Sequence, residues 1–150
     1  MSPWPPRSPV LAVVALSLAI GSCEPPEPES TLDPELVEAL GLAGDEVIHR
    51  IALGGRGSEE HVVPPTLEVA AGEIVEFVTV DRRVHVVRFT RDSLSTEAAR
   101  FLGDTRQGSS PPMIQQGSRY VVTFENAPPG RYPFLVSGYG EDAGGAIIVR

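Results

Sequence analysis

Three histidines are the residues of this sequence best suited to bind a metal: His49, His61 and His85. Imidazole nitrogens combine with carboxylate oxygens in many sites for Cu(II) and Zn(II). A site built on His85 with His61 or His49 would be completed by one or more of four acids: Glu59, Glu60, Glu141 and Asp142. The sequence leaves open whether these residues approach one another. The alternative is that His85 is a partly buried histidine with a hydrogen-bonded ring and that the other two lie on the surface.

Cys23 is the single cysteine, and it follows a short basic region and the uncharged stretch Val10–Ile20. That stretch has 11 residues, well short of the roughly 20 that a membrane-spanning helix needs, so it predicts the core of a signal peptide. The end of the segment, Ile20-Gly21-Ser22-Cys23, resembles the bacterial lipobox, whose cysteine receives lipid. Residues 1–22 are therefore predicted to be a lipoprotein signal peptide and Cys23 the lipidation site. The alternative is an ordinary secretory signal followed by a chance cysteine.

Residues 23–45 are predicted to form a tether and a short helix. Glu24–Ser30 alternates proline and glutamate and is typical of a stiff, extended spacer. Asp33 and Pro34 then suit a helix start, and Gly41 suits its end. Glu24 differs from the aspartate that the lipoprotein resemblance links with inner-membrane retention. The expected location is therefore the periplasmic face of the outer membrane, if the host has two membranes, with the membrane as a partner through the lipid.

The overall composition excludes some classes of function. The chain has 150 residues with 12 basic against 20 acidic side chains, a formal net charge of -8, and all of its cations are arginines. Proteins that bind DNA or RNA need clustered cations, so no nucleic acid is expected as a partner. The sequence has no nucleophile elbow and no metalloprotease motif, so we do not expect an enzyme.

The elements that would position these residues are mostly strands. Fifteen glycines and fifteen prolines separate short segments with an apolar-polar period of two. About seven strands are predicted, at 46–53, 61–69, 74–80, 84–89, 119–125, 131–137 and 146–149. A helix is predicted at 93–102, between the fourth and fifth of these strands. The strand at 74–80 is apolar on both faces, which predicts a central position. This pattern indicates an all-β sandwich.

Residues 46–150 resemble the cupredoxins of the plastocyanin and azurin type. The likeness is carried by Pro65–Phe77, His85–Phe89, Tyr120–Phe124, Ala127–Phe134 and Gly144–Val149. It implies a Greek-key β-sandwich and a type 1 copper site built from two histidines, a cysteine and usually a methionine. His85 matches the first histidine, but Val136 stands at the cysteine position. The loop 137–144 contains no Cys, His or Met, so a blue copper centre is not expected.

Tyr139 lies between Gly138 and Gly140 in the loop that carries the ligands in the cupredoxins. It is predicted either to contact a partner or to fold over the vacant metal position and fill it.

The one cationic stretch contains Arg82, Arg83, Arg88 and Arg91. A solvated face is the simplest interpretation of these arginines, and orientation of an anionic partner is the alternative.

Together these features predict a cell-envelope lipoprotein whose cupredoxin-like domain lacks type 1 copper and serves as a binding module for an unidentified envelope protein or ligand. No cofactor is expected under this hypothesis. The alternative is a copper-binding or copper-handling cupredoxin, related to electron transfer, that uses His85 with ligands other than a thiolate.

Overall fold

Two four-stranded sheets pack face to face in this protein. A computed structural model describes residues 46–138 and 140–150, together with Glu38 and Gly41. The strands of these residues are β1 (Ile48–Arg56), β2 (Glu59–Val63), β3 (Thr66–Val69), β4 (Ile74–Thr79), β5 (Val86–Phe89), β6 (Arg119–Thr123), β7 (Gly130–Ser137) and β8 (Ala143–Val149). A 3-10 turn, Arg91–Ser93, and one α-helix, α1 (Thr96–Asp104), follow β5. The predicted all-β sandwich is confirmed.

The first sheet has the strand order β2-β1-β4-β6, and the second has the order β3-β8-β7-β5. β1 runs parallel to β4, and β3 runs parallel to β8, whereas the remaining pairs are antiparallel. β4 lies inside the first sheet, as its two apolar faces predict. The prediction that residues 61–69 form one strand is wrong. This segment forms two strands in different sheets because the chain turns at Pro64 and Pro65, so the described chain has eight strands.

The core forms where the inner faces of the two sheets meet. Alternate residues of each strand point inward, since successive side chains of a strand face opposite ways. The ring of Phe77 from the first sheet meets the ring of Phe134 from the second edge to face, with centroids 5.1 Å apart. Both side chains are buried, and Tyr120, the register partner of Phe77 on β6, stacks on the Phe77 ring at 5.9 Å. This aromatic contact joins the two sheets directly.

Helix α1 covers one edge of the sandwich. Ser95 caps its start by accepting a hydrogen bond from the Ala98 backbone N–H at 3.1 Å. Ala98 and Leu102 are buried, and Phe101 packs against Phe124 and Tyr132. The helix was predicted at 93–102, but it begins at Thr96 and continues to Asp104. The residue with a left-handed backbone that follows the helix is Arg106.

Tyr132 fixes the turn before β7. Its ring is fully buried, and its hydroxyl donates a hydrogen bond to the Pro128 carbonyl at 2.7 Å. Burial disfavours the ionised phenolate and raises the pKa of Tyr132 to about 12. The hydroxyl therefore remains a donor throughout the physiological pH range.

The first prediction concerns the contact between the sheets. Phe77→Ala removes a buried ring that the surrounding side chains cannot fully replace, so we expect the free energy of unfolding to fall by about 3 to 5 kcal/mol. Urea unfolding followed by circular dichroism measures this value. Leu135→Ala is the control, because Leu135 is 41% exposed and its truncation should cost less than about 1 kcal/mol. Equal losses in the two variants would contradict the prediction.

Candidate functional site

His85 lies immediately before β5, at one end of the sandwich. It is fully buried, and its backbone exchanges two hydrogen bonds with Met113, at 3.0 and 2.9 Å. The segment containing Met113 runs antiparallel to the start of β5 at this point. These two hydrogen bonds hold the backbone of His85 against the segment that contains Met113.

Each nitrogen of the His85 ring lies against a carboxylate. Nδ1 is 2.8 Å from Oε2 of Glu60, and Nε2 is 2.8 Å from Oδ1 of Asp81. A neutral imidazole has one N–H, whereas an imidazolium has an N–H on both nitrogens. An imidazolium would therefore satisfy both contacts at once by donating one hydrogen bond to each carboxylate. Charge-assisted hydrogen bonds of this kind are stronger than those between neutral groups.

Asp81 comes from the turn after β4. Its Oδ1 also accepts a hydrogen bond from the Arg83 backbone N–H at 2.9 Å, and its Oδ2 accepts one from the Gly55 N–H at 2.8 Å. Burial by itself would raise the pKa of Asp81. The hydrogen bonds from His85, Arg83 and Gly55, with the charge on His85, outweigh that desolvation and lower the pKa. Asp81 is thus held as a carboxylate.

Glu60 comes from β2, and its side chain is fully buried. The strand alternates inward and outward side chains here, so Glu60 faces the core while Glu59 and His61 face solvent. Glu60 therefore joins β2, a strand of the first sheet, to His85, which precedes a strand of the second.

The loop after β7 closes over this end of the sandwich. The Glu141 N–H donates to the Ser58 carbonyl at 2.8 Å, and the Glu60 N–H donates to the Glu141 carbonyl at 3.4 Å. A Cβ at Gly138 would overlap the Val84 carbonyl, and a Cβ at Gly140 would overlap the Ser58 carbonyl. The two glycines allow the backbone to approach this closely. Tyr139, which they flank, lies outside the described residues, so its predicted role stays a prediction.

The other predicted metal ligands do not join His85. His49 lies at 2.7 Å from Glu73, which also accepts the Ala70 N–H. His61 is half exposed and lies 3.8 Å from the carboxylate of Glu59. The last two candidate acids, Glu141 and Asp142, are exposed. Of the predicted partners, the structure brings only Glu60 to His85.

A type 1 copper ion does not fit the arrangement of the described side chains. Glu60 and Asp81 occupy opposite nitrogens of one ring, so their oxygens do not converge with a nitrogen on a common point. Val136, at the cysteine position, is fully buried and pairs with Val87. In the part of the chain that the structure describes, no group of three or more His, Cys, Asp or Glu side chains is placed to hold a metal. A metal at His85 would have to displace one of the carboxylates.

Asp81 is the functional residue that sequence reasoning missed. It directly precedes the cationic stretch that begins at Arg82, and the sequence did not predict it as a partner of His85. The available signal was its spacing, because a residue four positions before a histidine can reach the ring when the chain turns between them. Glu60 was considered only as a metal ligand, whereas it hydrogen-bonds the histidine directly.

Comparison with solved structures identifies the architecture. No protein-family model matches the chain, and no curated protein matches it. The structure is similar to the oxidised form of plastocyanin from the fern Dryopteris crassirhizoma, with a TM-score of 0.52 and 18% sequence identity over 68% of this chain and 100% of the plastocyanin. The domain has the cupredoxin fold. A mutant fern plastocyanin aligns with a TM-score of 0.51, the same identity and the same coverage of both chains.

The cupredoxin fold was predicted from the sequence, and the comparison confirms it. Within this cupredoxin-fold domain His85 immediately precedes β5, and its ring nitrogens lie against carboxylates. Cys23 and most of the tether and helix predicted at 23–45 lie outside the described residues. No helix among the described residues is long and apolar enough to cross a membrane.

The second prediction concerns the ion pair between Asp81 and His85. Because the pKa of Asp81 is lowered from 3.8 in the folded protein, its ionised form stabilises the fold above that pH, and the stabilisation is lost as the pH falls below it. Asp81→Asn should therefore lower the free energy of unfolding at neutral pH by about 1 to 3 kcal/mol. The difference from the wild type should shrink as the pH is lowered through the acid range.

Urea unfolding at a series of pH values measures this difference. Asp92→Asn is the control, because Asp92 is exposed and makes no side-chain hydrogen bond to a described residue. Its unfolding should follow the wild-type pH profile. A loss in Asp81→Asn that is the same at every pH would count against an ionised partner for His85.

Proposed function

We propose that this chain is a lipid-anchored protein of the bacterial cell envelope whose cupredoxin-fold domain is a binding module without a type 1 copper centre. The observation that carries the proposal is the double hydrogen bond of the His85 ring to Glu60 and Asp81. Both nitrogens that could bind a metal are engaged by protein groups. A buried thiolate ligand is lacking as well, since Val136 stands where the cupredoxin resemblance places the cysteine.

The surface around His85 supports a binding role. Three large apolar side chains are exposed there: Val80 at 52%, Val84 at 42% and Ile114 at 61%. In the chain, Val80 directly precedes Asp81, Val84 directly precedes His85, and Ile114 directly follows Met113. Exposed apolar groups that lie close together often mark contact sites for other molecules. His85 and Val136, which stand at two of the copper-ligand positions of the cupredoxin resemblance, are thus buried, while apolar neighbours of the site in the chain are exposed.

The anchor is supported by the sequence. Cys23 follows an apolar segment of signal-peptide length and small residues, and the Pro/Glu stretch after it suits a spacer between a membrane and a folded domain. A lipid on Cys23 would hold the domain at the membrane, with outer-membrane placement favoured by Glu24. The partner would then be a protein or ligand of the cell envelope.

The third prediction tests copper. Calorimetric titration of Cu(II) into the full chain should show only weak binding, and electron paramagnetic resonance should show no thiolate-bound copper. His85→Ala should leave the weak binding unchanged, as should the control His61→Ala, which removes an exposed imidazole. Circular dichroism confirms that each variant is folded.

Tight binding of one copper per chain that is lost in His85→Ala and kept in His61→Ala would overturn the copper-free proposal. It would favour the alternative of a copper-handling protein, with tetragonal rather than thiolate spectra because no thiol lies within the domain.

The fourth prediction tests the anchor. When the chain is expressed in a bacterium fed with labelled palmitate, the wild type should incorporate the label and Cys23→Ser should not, because the serine hydroxyl does not replace the thiol that accepts the lipid. Ser22→Ala is the control, since alanine keeps a small residue before the cysteine. Label in Cys23→Ser, or none in the wild type, would argue against the lipid anchor.

A further inference from the structure

A cationic groove lies at the far end of β5 from His85. It has a volume of about 810 Å³ and is formed by the end of β5, the 3-10 turn, the end of α1 and the segment after α1. Three arginines line it: Arg88, Arg91 and Arg106. Pockets for small organic molecules in proteins range from about 300 to 1,000 Å³, so the groove has a suitable size.

The three arginines of the groove have no acidic partner among the described residues. Arg88, Arg91 and Arg106 are exposed, and none forms an ion pair or a side-chain hydrogen bond to a described residue. Asp92 is the one acidic residue that lines the groove, so three positive charges meet one negative charge. This excess contrasts with a chain whose formal net charge is -8.

The cationic stretch predicted from the sequence is therefore divided in two. Arg83 lies at the His85 end, where its guanidinium donates to the Gly57 carbonyl at 2.9 Å. Arg88 and Arg91 lie in the groove, and Arg106, which the sequence did not place with them, joins them from the end of α1. A groove built from separate segments holds its arginines at fixed places around a common space.

The floor of the groove is apolar. Phe89 and Leu102 are buried beneath it, and Leu135 is 41% exposed beside Arg88. Leu135 and Arg88 are register partners on adjacent strands. A ligand in the groove would thus meet guanidinium groups around its edge and hydrocarbon below. Guanidinium groups pair with carboxylate and phosphate through two parallel hydrogen bonds.

Arg106 occupies a backbone position that usually belongs to glycine. Its φ is 56°, and its N–H donates to the Gly103 carbonyl at 3.2 Å while the Gln107 N–H donates to the Leu102 carbonyl at 2.9 Å. These hydrogen bonds form the common left-handed ending of a helix, where glycine avoids the steric cost of a side chain. The protein bears that cost at Arg106, which fits a role for the guanidinium in the groove.

We propose that this groove binds a small organic anion with two or more acidic groups. The carboxylate or phosphate groups pair with Arg88, Arg91 and Arg106, and the carbon skeleton lies over Leu102 and Leu135. The inference rests on the proposed binding function and names its ligand class. The groove contains neither His85 nor Cys23, so it can be tested separately from the copper and lipid predictions.

The fifth prediction uses citrate, a tricarboxylate, as the probe. Nuclear magnetic resonance titration of the full chain in nonionic detergent should show saturable one-to-one binding, with shifts at the backbone amides of Phe89, Arg106 and Ser109. Acetate, with one carboxylate, should bind at least about tenfold more weakly. Added salt should weaken citrate binding, because the arginines are exposed and the attraction is screened.

Two variants and one control make the test specific. Arg88→Gln and Arg106→Gly should each weaken citrate binding about tenfold. Arg106→Gly should also unfold at the same or a higher temperature than the wild type, because glycine relieves the left-handed backbone. Its loss of binding would then not reflect unfolding. Arg100→Gln should bind citrate as the wild type does, since Arg100 is exposed on α1 but does not line the groove.

Several outcomes would overturn the proposal. The first is that citrate shows no saturable binding, and the second is that citrate and acetate bind equally well. The third is that Arg100→Gln and Arg88→Gln change the citrate affinity equally. The fourth is that an oligoglutamate peptide binds whereas citrate does not. If one of these outcomes occurs while His85→Ala and Cys23→Ser give the results expected in the copper and lipid tests, the ligand class is wrong and the proposed function stands. The reverse pattern would remove the proposed function and leave the groove as an anion site.

Discussion

The packing of one sheet against the other is the constraint on which the rest of this structure depends. A period-two strand has an apolar face that must be covered, and here each sheet covers the other through rings such as Phe77 and Phe134. The chain has a single cysteine, Cys23, so it cannot form a disulfide within itself. Packing and hydrogen bonding therefore carry its stability. The two ends of the sandwich, where strands give way to loops, are then available for chemistry.

At one of those ends the domain buries charge. A charged imidazolium in a low-dielectric interior is costly unless it is paired, and here each ring nitrogen of His85 lies against a carboxylate from a different element. Glu60 belongs to one sheet, and His85 leads into the other. The ion pairs thereby connect the sheets where the aromatic core ends. Removing one partner leaves the other groups buried without compensation, so these three residues act as a unit rather than as separate surface contacts.

The sequence predicted the parts of the fold that arise from local alternation. β4 was placed centrally because both of its faces are apolar apart from Glu76, and the structure places it between β1 and β6. The burial of Glu76 was not predictable, since its partners Arg50 and Arg119 come from the neighbouring strands β1 and β6. The same limit applies to the site. His85 was identified from a local motif, whereas its partner Asp81 depends on how the turn after β4 folds back.

The closing of the loop over His85 has a consequence for protein engineering. Gly138 and Gly140 hold the loop so close to Val84 and Ser58 that longer side chains are excluded. Replacing Val136 by cysteine would add a thiol but would leave both ring nitrogens of His85 against carboxylates. The carboxylates of Glu60 and Asp81, as well as the missing cysteine, distinguish this arrangement from a type 1 copper site. A designer who wished to install a metal at His85 would have to begin with one of these two carboxylates, in β2 or in the turn after β4, rather than in the loop after β7.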